Sequence, residues 1–266
     1  ISRGTDKDIY KERKQLGKLI TPAVLEAISY DVEHTVFSYI PNTAEVAYIG
    51  MAGAIHEYYN EQKLKHIAGR ILPVNELNKI LSLRPRLEKI AVKDAKLRTF
   101  ITADAQRNDM VSHVYDTTYG VIRHNEDNLV VIDDSIVRGT TLSNSILRIL
   151  DRLHPKKIIV VSSAPQIRYP DCYGIDMSKL KDFIAFKAAI ALLNETGKSS
   201  IIEEVYHVCK RHADSYDAPN FVRNIYESFS PQEISSKIAL LLRHEQIHAE
   251  VEVIYQSIES LQDRKS

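Results

Sequence analysis

Cysteine is scarce in this sequence: Cys172 and Cys209 are the two in 266 residues. Two thiols cannot build a disulfide framework, and the default setting for such a chain is reducing and cytoplasmic. Long apolar runs are also missing. No stretch of 18 apolar residues exists, so neither a membrane-spanning helix nor a membrane partner is expected. Ile1 to Asp6 carry no initiator Met and no apolar signal stretch, and they read as a cut end. An excess of one charge is absent too, since 35 Lys and Arg balance 35 Asp and Glu. That balance excludes a generic basic nucleic-acid surface, so no nucleic-acid partner is expected. Repeats and low-complexity segments are lacking. So are a Gly-Lys-Ser/Thr phosphate loop and a G-x-G-x-x-G dinucleotide fingerprint.

What remains is ordinary globular material. The 44% hydrophobic and 26% charged content argues against global disorder. The length allows one large domain or two, with a core burying roughly 70% of the unfolded chain's surface.

The pattern is mixed α/β to about residue 178 and mostly helical beyond. Residues 6–29 carry helical spacing, with Pro22 expected to open a second short helix. Thr35 to Ile40 reads as a strand that stops at Pro41-Asn42. Helical spacing returns from Ala44 to about Gln62. A strand is expected over Glu88 to Val92, a short helix over Met110 to Tyr115, and a short strand over Gly120 to Ile122. Asn128 to Ile132 is a continuous apolar strand, as in a parallel sheet buried on both faces. A helix from Thr141 to Leu153 and a strand over Lys157 to Ser162 complete a βαβ unit. Three further helices are expected at roughly 178–194, 199–212 and 231–260. The last carries the apolar stripe Ile247, Val251, Ile254 and Ile258.

The block that carries chemistry is Val130-Val131-Ile132-Asp133-Asp134-Ser135-Ile136-Val137-Arg138-Gly139-Thr140-Thr141. Two acids end a buried parallel strand, where ligands of open α/β sheets bind. A loop of small hydroxyl residues and Gly139 then leads into a helix, and such a turn cradles anions. Carboxylates accept hydrogen bonds from sugar hydroxyls or hold Mg²⁺. A sugar phosphate satisfies both halves.

This block resembles the phosphoribosylpyrophosphate (PRPP) signature of type I phosphoribosyltransferases. Its wording is nearest to the amidotransferase branch of that family. Ser162 to Pro170, with Tyr173-Gly174-Ile175-Asp176, resembles the segment that closes the branch's active site. Leu97-Arg98-Thr99-Phe100-Ile101 resembles its flexible loop. Ile40-Pro41-Asn42-Thr43-Ala44 sits where the family has a pyrophosphate-binding Pro-Asp-Ser turn, with Asn42 in place of the Asp. The resemblance covers residues 1–178. It implies a type I phosphoribosyltransferase domain, an open, mostly parallel sheet with flanking helices. Residues 179–266 would be a helical extension packing on that core or on a subunit interface.

The resemblance also implies roles. Asp133 and Asp134 would hold the ribose hydroxyls and, with Thr43, Mg²⁺. Ser135, Val137, Arg138, Gly139, Thr140 and Thr141 would bind the 5′-phosphate, and Pro41, Asn42 and Thr43 the pyrophosphate. Arg98, with Lys93 or Lys96, would neutralise the leaving group. The implied reaction is displacement of pyrophosphate from PRPP by ammonia, giving 5-phosphoribosylamine for purine synthesis. A purine- or pyrimidine-adding transferase and a non-catalytic PRPP-binding regulator are the alternatives. The branch's glutaminase domain uses an N-terminal cysteine. Residue 1 is Ile and no cysteine precedes 172, so that domain is expected to be absent and glutamine hydrolysis with it. The family forms homo-oligomers, so a homo-oligomer is expected. Some members carry an iron–sulfur cluster. With Asp171 at a ligand position and two cysteines in all, no such cluster is expected here. His244 and His248 are spaced to share a helix face, but no third ligand is in register.

Overall fold

The computed structural model describes residues 6–93, 115–171, 177–213, 215 and 217–263. Strand β5 (Asn128–Asp133) is its centre. It is flanked by β1 (Thr35–Tyr39) and β6 (Lys157–Ser162), with β2 (Arg86–Leu87) and β7 (Glu250–Tyr255) at the edges. The order is β2-β1-β5-β6-β7 and every neighbouring pair is parallel. A separate antiparallel pair joins β3 (Ala91–Lys93) to β4 (Tyr115–Thr117).

Helices cover both faces, as an all-parallel sheet requires. They are α1 (Lys7–Ala27), α2 (Glu45–Ile67), α3 (Val74–Ser82), α5 (Ile184–Glu195), α6 (Ser200–Arg211), α7 (Arg223–Glu227), α8 (Pro231–Leu242) and α9 (Ile258–Asp263). Between β5 and β6, a π-helical turn at Leu142–Ile146 continues into α4 (Leu147–Asp151). The strand period of two divides the core. Val36, Leu129, Val131, Ile158, Val160 and Val253 pack with α4, α5 and α8. Phe37, Tyr39, Val130, Ile132, Ile159 and Val161 pack with α1 and α2.

Glycine sets how closely α1 and α2 approach. A Cβ on Gly17 would fall 1.8 Å from the Ala47 carbonyl oxygen, and one on Gly50 would fall 1.8 Å from that of Lys14. No flexible side chain is there to yield. Gly17→Ala and Gly50→Ala are each expected to cost about 2–3 kcal/mol, overpacking outweighing the gain in helix propensity. Chemical denaturation reads this, and a stabilised Gly17→Ala would show that the helices separate freely.

Several expectations change. Pro22 lies inside α1 rather than opening a new helix. Ile20, Thr21, Val24 and Leu25, all buried on either side of it, hold the helix together through the missing N–H. Glu88–Val92 is not one strand: β2 ends at Leu87, and Glu88 N–H then donates to the Phe37 carbonyl. Gly120 to Ile122 is turn, with Gly120 at φ +80°. The expected helix at 231–260 stops at Leu242, and Glu250–Tyr255 is the fifth strand of the sheet. Residues 179–266 are therefore not all helix. The alternation Glu-Val-Glu-Val-Ile-Tyr suits a strand, and Lys157 on β6 pairs with both Glu250 and Glu252 across the register. His244 and His248 do not share a helix face, since both follow the end of α8. Asp151 instead accepts hydrogen bonds from the His248 and Ala249 N–H groups, which ties the approach to β7 onto α4. Burial favours the neutral acid at Asp151, but those bonds and the His248 ring hold its carboxyl below the usual range.

Candidate active site

The acidic pair sits where the sheet topology directs ligands. Asp133 closes β5, and Asp134 begins the loop beyond it. Each carboxylate accepts from the next backbone N–H, Asp134 N to Asp133 at 2.9 Å and Ser135 N to Asp134 at 2.8 Å. Those bonds turn the chain sharply and fix both side chains. Asp133 is half-buried and Asp134 exposed. Burial, then the neighbouring Asp134 charge, pushes the Asp133 carboxyl up to about 7.

Two neighbouring strands complete the crevice. On one side β1 ends beside β5, with Ile40 N–H donating to the Ile132 carbonyl. The turn Pro41-Asn42-Thr43 therefore emerges next to the acids, with Asn42 and Thr43 exposed and the Pro41–Asn42 peptide cis. On the other side β6 ends at Ser162, and Ser163 fastens to the acidic corner. Its N–H donates to the Asp133 carbonyl at 2.9 Å and its hydroxyl to the Asp134 carbonyl at 3.2 Å. The resemblance placed Ser162 to Pro170 near the site, but nothing in the sequence showed that Ser163 would bond to the backbone of both acids.

The loop Ser135 to Thr141 returns to the helix layer. Ile136 is buried and anchors it, while Val137 accepts a hydrogen bond from the Ile184 N–H. Gly139 has φ +72°, and a Cβ there would meet Leu242 Cδ2 at 2.6 Å. The positive φ favours glycine, and a side chain there would also have to displace the Leu242 methyl. Thr140 and Thr141 stand exposed at the start of the helical turn, the place where backbone N–H groups and hydroxyls receive a phosphate.

The structure thus brings together Asp133, Asp134, Ser135, Val137, Arg138, Gly139, Thr140, Thr141, Pro41, Asn42 and Thr43 at the carboxyl ends of β1 and β5. Lys93 is placed by its backbone at the end of β3, a strand whose preceding residue, Ile90, is tied to β1 by an N–H donated to the Ser38 hydroxyl at 3.0 Å. Arg98 and the segment around it lie outside the described residues, as do Cys172 and Tyr173 to Asp176. Among the described residues no group of three or more His, Cys, Asp or Glu side chains gathers as a metal site. No helix among them is long and apolar enough to cross a membrane.

An open parallel sheet with an acidic pair leading into a phosphate loop defines the type I phosphoribosyltransferase fold. Comparison with known proteins narrows this further. No family model matches the chain. In sequence and fold the chain is similar to amidophosphoribosyltransferases. It is 42% identical to the amidophosphoribosyltransferase of Haemophilus influenzae over 90 residues, 34% of this chain and 17% of that protein. It is 22% identical to that of Saccharomyces cerevisiae over 257 residues, 92% of this chain and 44% of that protein. A solved structure of glutamine PRPP amidotransferase from B. subtilis, complexed with ADP and GMP, superposes over 97% of this chain with a TM-score of 0.52 at 23% identity. This chain covers 38% of that one. It spans less than half the length of these relatives.

Proposed function

We propose that this chain carries the phosphoribosyltransferase step of an amidophosphoribosyltransferase. In that step ammonia displaces pyrophosphate from C1 of PRPP to give 5-phosphoribosylamine, the entry to purine synthesis. A C–N bond forms at C1, the C1–O bond to pyrophosphate breaks, and the attacking nitrogen sheds one proton to solvent. One observation carries the reading: two fixed carboxylates at the end of β5, between a β1 turn and a glycine-containing phosphate loop.

The residues divide the work. Ser135 to Thr141 hold the 5′-phosphate by backbone N–H groups and hydroxyls. Asp133 and Asp134 accept from the ribose hydroxyls and fix the sugar's orientation. Positive charge develops at C1 as the bond breaks, and the two carboxylates beneath the sugar favour it. Pro41 to Thr43 receive the pyrophosphate. Lys93 and Arg98 are assigned to its growing negative charge; for Lys93, the entry to β3 beside β1 at Ile90 supports the role.

The donor set also fits Mg²⁺. Hard carboxylate oxygens at Asp133 and Asp134 lie side by side, their mutual repulsion registers in the raised Asp133 carboxyl, and Thr43 adds a hydroxyl on the adjoining turn. Mg²⁺ takes one or two carboxylates and fills its shell from substrate phosphates and water, so a third acidic ligand is not needed. When bound it would supply charge neutralisation on the pyrophosphate oxygens.

A homo-oligomer in a cytoplasmic setting belongs to the same reading. Leu240, Leu241 and Ile258 expose apolar surface in the C-terminal region, which supports a subunit contact.

The test is pyrophosphate release from PRPP and Mg²⁺, with and without ammonium chloride. Release that rises with ammonia is the expected result. Release that ignores ammonia but responds to hypoxanthine, guanine or orotate would replace the reading with a base-adding transferase. PRPP binding without release would replace it with a regulator.

A further inference from the structure

Helix α8 touches both active-site loops. At its C-terminal end the Leu242 side chain occupies the space that a Cβ on Gly139 would need, and the Leu242 carbonyl accepts from the Ser143 hydroxyl at 2.8 Å. At its N-terminal end it holds the segment that follows β6. The Gln166 amide donates to the Pro231 carbonyl and to the Ser235 hydroxyl, both at 2.8 Å. The Gln166 carbonyl oxygen in turn accepts twice from Arg168, from Nε at 3.1 Å and Nη2 at 2.8 Å. The Arg168 guanidinium lies 5.1 Å from the ring centroid of Tyr226, and the buried Tyr226 hydroxyl donates to the Arg168 carbonyl at 2.8 Å. One glutamine therefore joins a β6 loop, α7 and α8 in a single network.

The strand order tells which half of the reaction this network faces. The pyrophosphate turn leaves β1, the acids leave β5, and the latched segment leaves β6. β1 and β6 flank β5 on opposite sides, about 5 Å away each. Displacement at C1 needs the entering atom opposite the leaving one. With pyrophosphate on the β1 side, ammonia enters from the β6 side, past Ser163 to Arg168.

We infer that Gln166, through Arg168, Tyr226 and Ser235, is a positioning residue for the acceptor. It holds the Ser163–Arg168 segment against α8 so that the ammonia approach to C1 is shaped before PRPP arrives. This rests on the proposed reaction. The Gln166 side chain itself bonds to neither the phosphate loop nor the acidic carboxylates. Its loss therefore changes how well ammonia is used and leaves PRPP binding alone.

The experiment compares the chain with Gln166→Ala and with a Ser235→Ala, Tyr226→Phe double variant. The expected result is a rise of about ten-fold in the KM for ammonia, on the scale that small misplacements of a reactant produce. The KM for PRPP and its calorimetric affinity should stay within about two-fold, since an interaction made with one substrate alone shifts that substrate's constant. Ammonia and PRPP constants that rise together, or an unchanged ammonia KM, would overturn the inference. If the unaltered chain releases no pyrophosphate, the proposed reaction itself has failed and the acceptor role falls with it. Hydrogen exchange at the Gln166, Ile167 and Arg168 amides then decides what is left. Faster exchange in Gln166→Ala upholds the tie, and equal exchange removes it.

Discussion

Replacing Asp133 and Asp134 together by asparagine should cut ammonia-dependent pyrophosphate release by about a thousand-fold or more, the scale seen when preorganised charge is removed from a reacting centre. Asparagine keeps the oxygen that accepts the following N–H, so the turn built by those two bonds survives. What disappears is the charge that faces the sugar. The loss should therefore fall on kcat as well as on PRPP affinity. A double variant that turns over normally would place the chemistry elsewhere in the chain.

The same substitution should stabilise the protein in Mg²⁺-free buffer, and the pH dependence identifies why. The Asp133 carboxyl is raised to about 7 in the folded chain, by burial first and by the Asp134 charge second. In the unfolded chain it ionises near 4. Between these values the folded state binds the proton more tightly, so stability falls as pH rises through the window. The penalty is absent below about pH 4 and complete above about pH 7. A tenfold difference in proton affinity is worth roughly 1.4 kcal/mol, and partial exposure reduces the net effect to the order of 2 kcal/mol. Asp133→Asn should accordingly melt several degrees above the parent at pH 8 and level with it at pH 4. Equal melting temperatures at both would show that Asp133 carries no burial penalty. Such a burial penalty fits the proposed role of Asp133 in binding rather than in folding.

The structure of the acidic block was legible because its physics is local. An apolar run, two acids, a glycine and two threonines follow one another, and each occupies the position its chemistry predicts. The strand β7 was not legible, for a reason equally local. Val251, Ile254 and Ile258 match a helical spacing, while Val251, Val253 and Tyr255 match a strand. Short apolar segments satisfy both periods, and the choice is made by a partner. Here the partner is β6, whose Lys157 meets Glu250 and Glu252. Contacts across long separations were equally out of reach. Nothing near Gly139 announces that Leu242 will press on it, and nothing near Gln166 announces Ser235. Pro22 misled because its cost of about 3 kcal/mol is real, yet burial of the residues around it exceeds that cost.

Asp127→Ala should destabilise the chain by about 2–3 kcal/mol, because it removes a buried carboxylate shared by two guanidinium groups, which are only partly buried and keep their bonds to the Val121 and Glu33 carbonyls. Asp127 is fully buried. It faces Arg86 Nη1 at 2.7 Å and Arg123 Nη2 and Nε at 3.0 Å, and it accepts from the Arg123 N–H at 2.6 Å. Arg86 belongs to edge strand β2, and Arg123 reaches the Glu33 carbonyl just before β1. Asp127 itself precedes β5, and its carbonyl accepts from the Lys156 N–H just before β6. One residue, through its carboxylate and its carbonyl, thus ties together the starting ends of four strands. Asp127→Asn keeps an acceptor for the Arg123 N–H and should lose less. Changing Asp127, Arg86 and Arg123 together to apolar residues of similar volume should recover much of the loss, since a missing partner costs more than a missing triad. Urea denaturation measures all three, and a cost under about 1 kcal/mol for Asp127→Ala would reduce the cluster to an ordinary surface pair. The acids of the site lie six residues further along the strand, about 20 Å away at the other end of the sheet. Below the melting transition, then, the ammonia-dependent kcat of Asp127→Ala should stay within about two-fold of the parent, because well-separated sites contribute independently. Stability at the starting ends of the strands and chemistry at their carboxyl ends would then be separable by single substitutions in β5 and the residue before it.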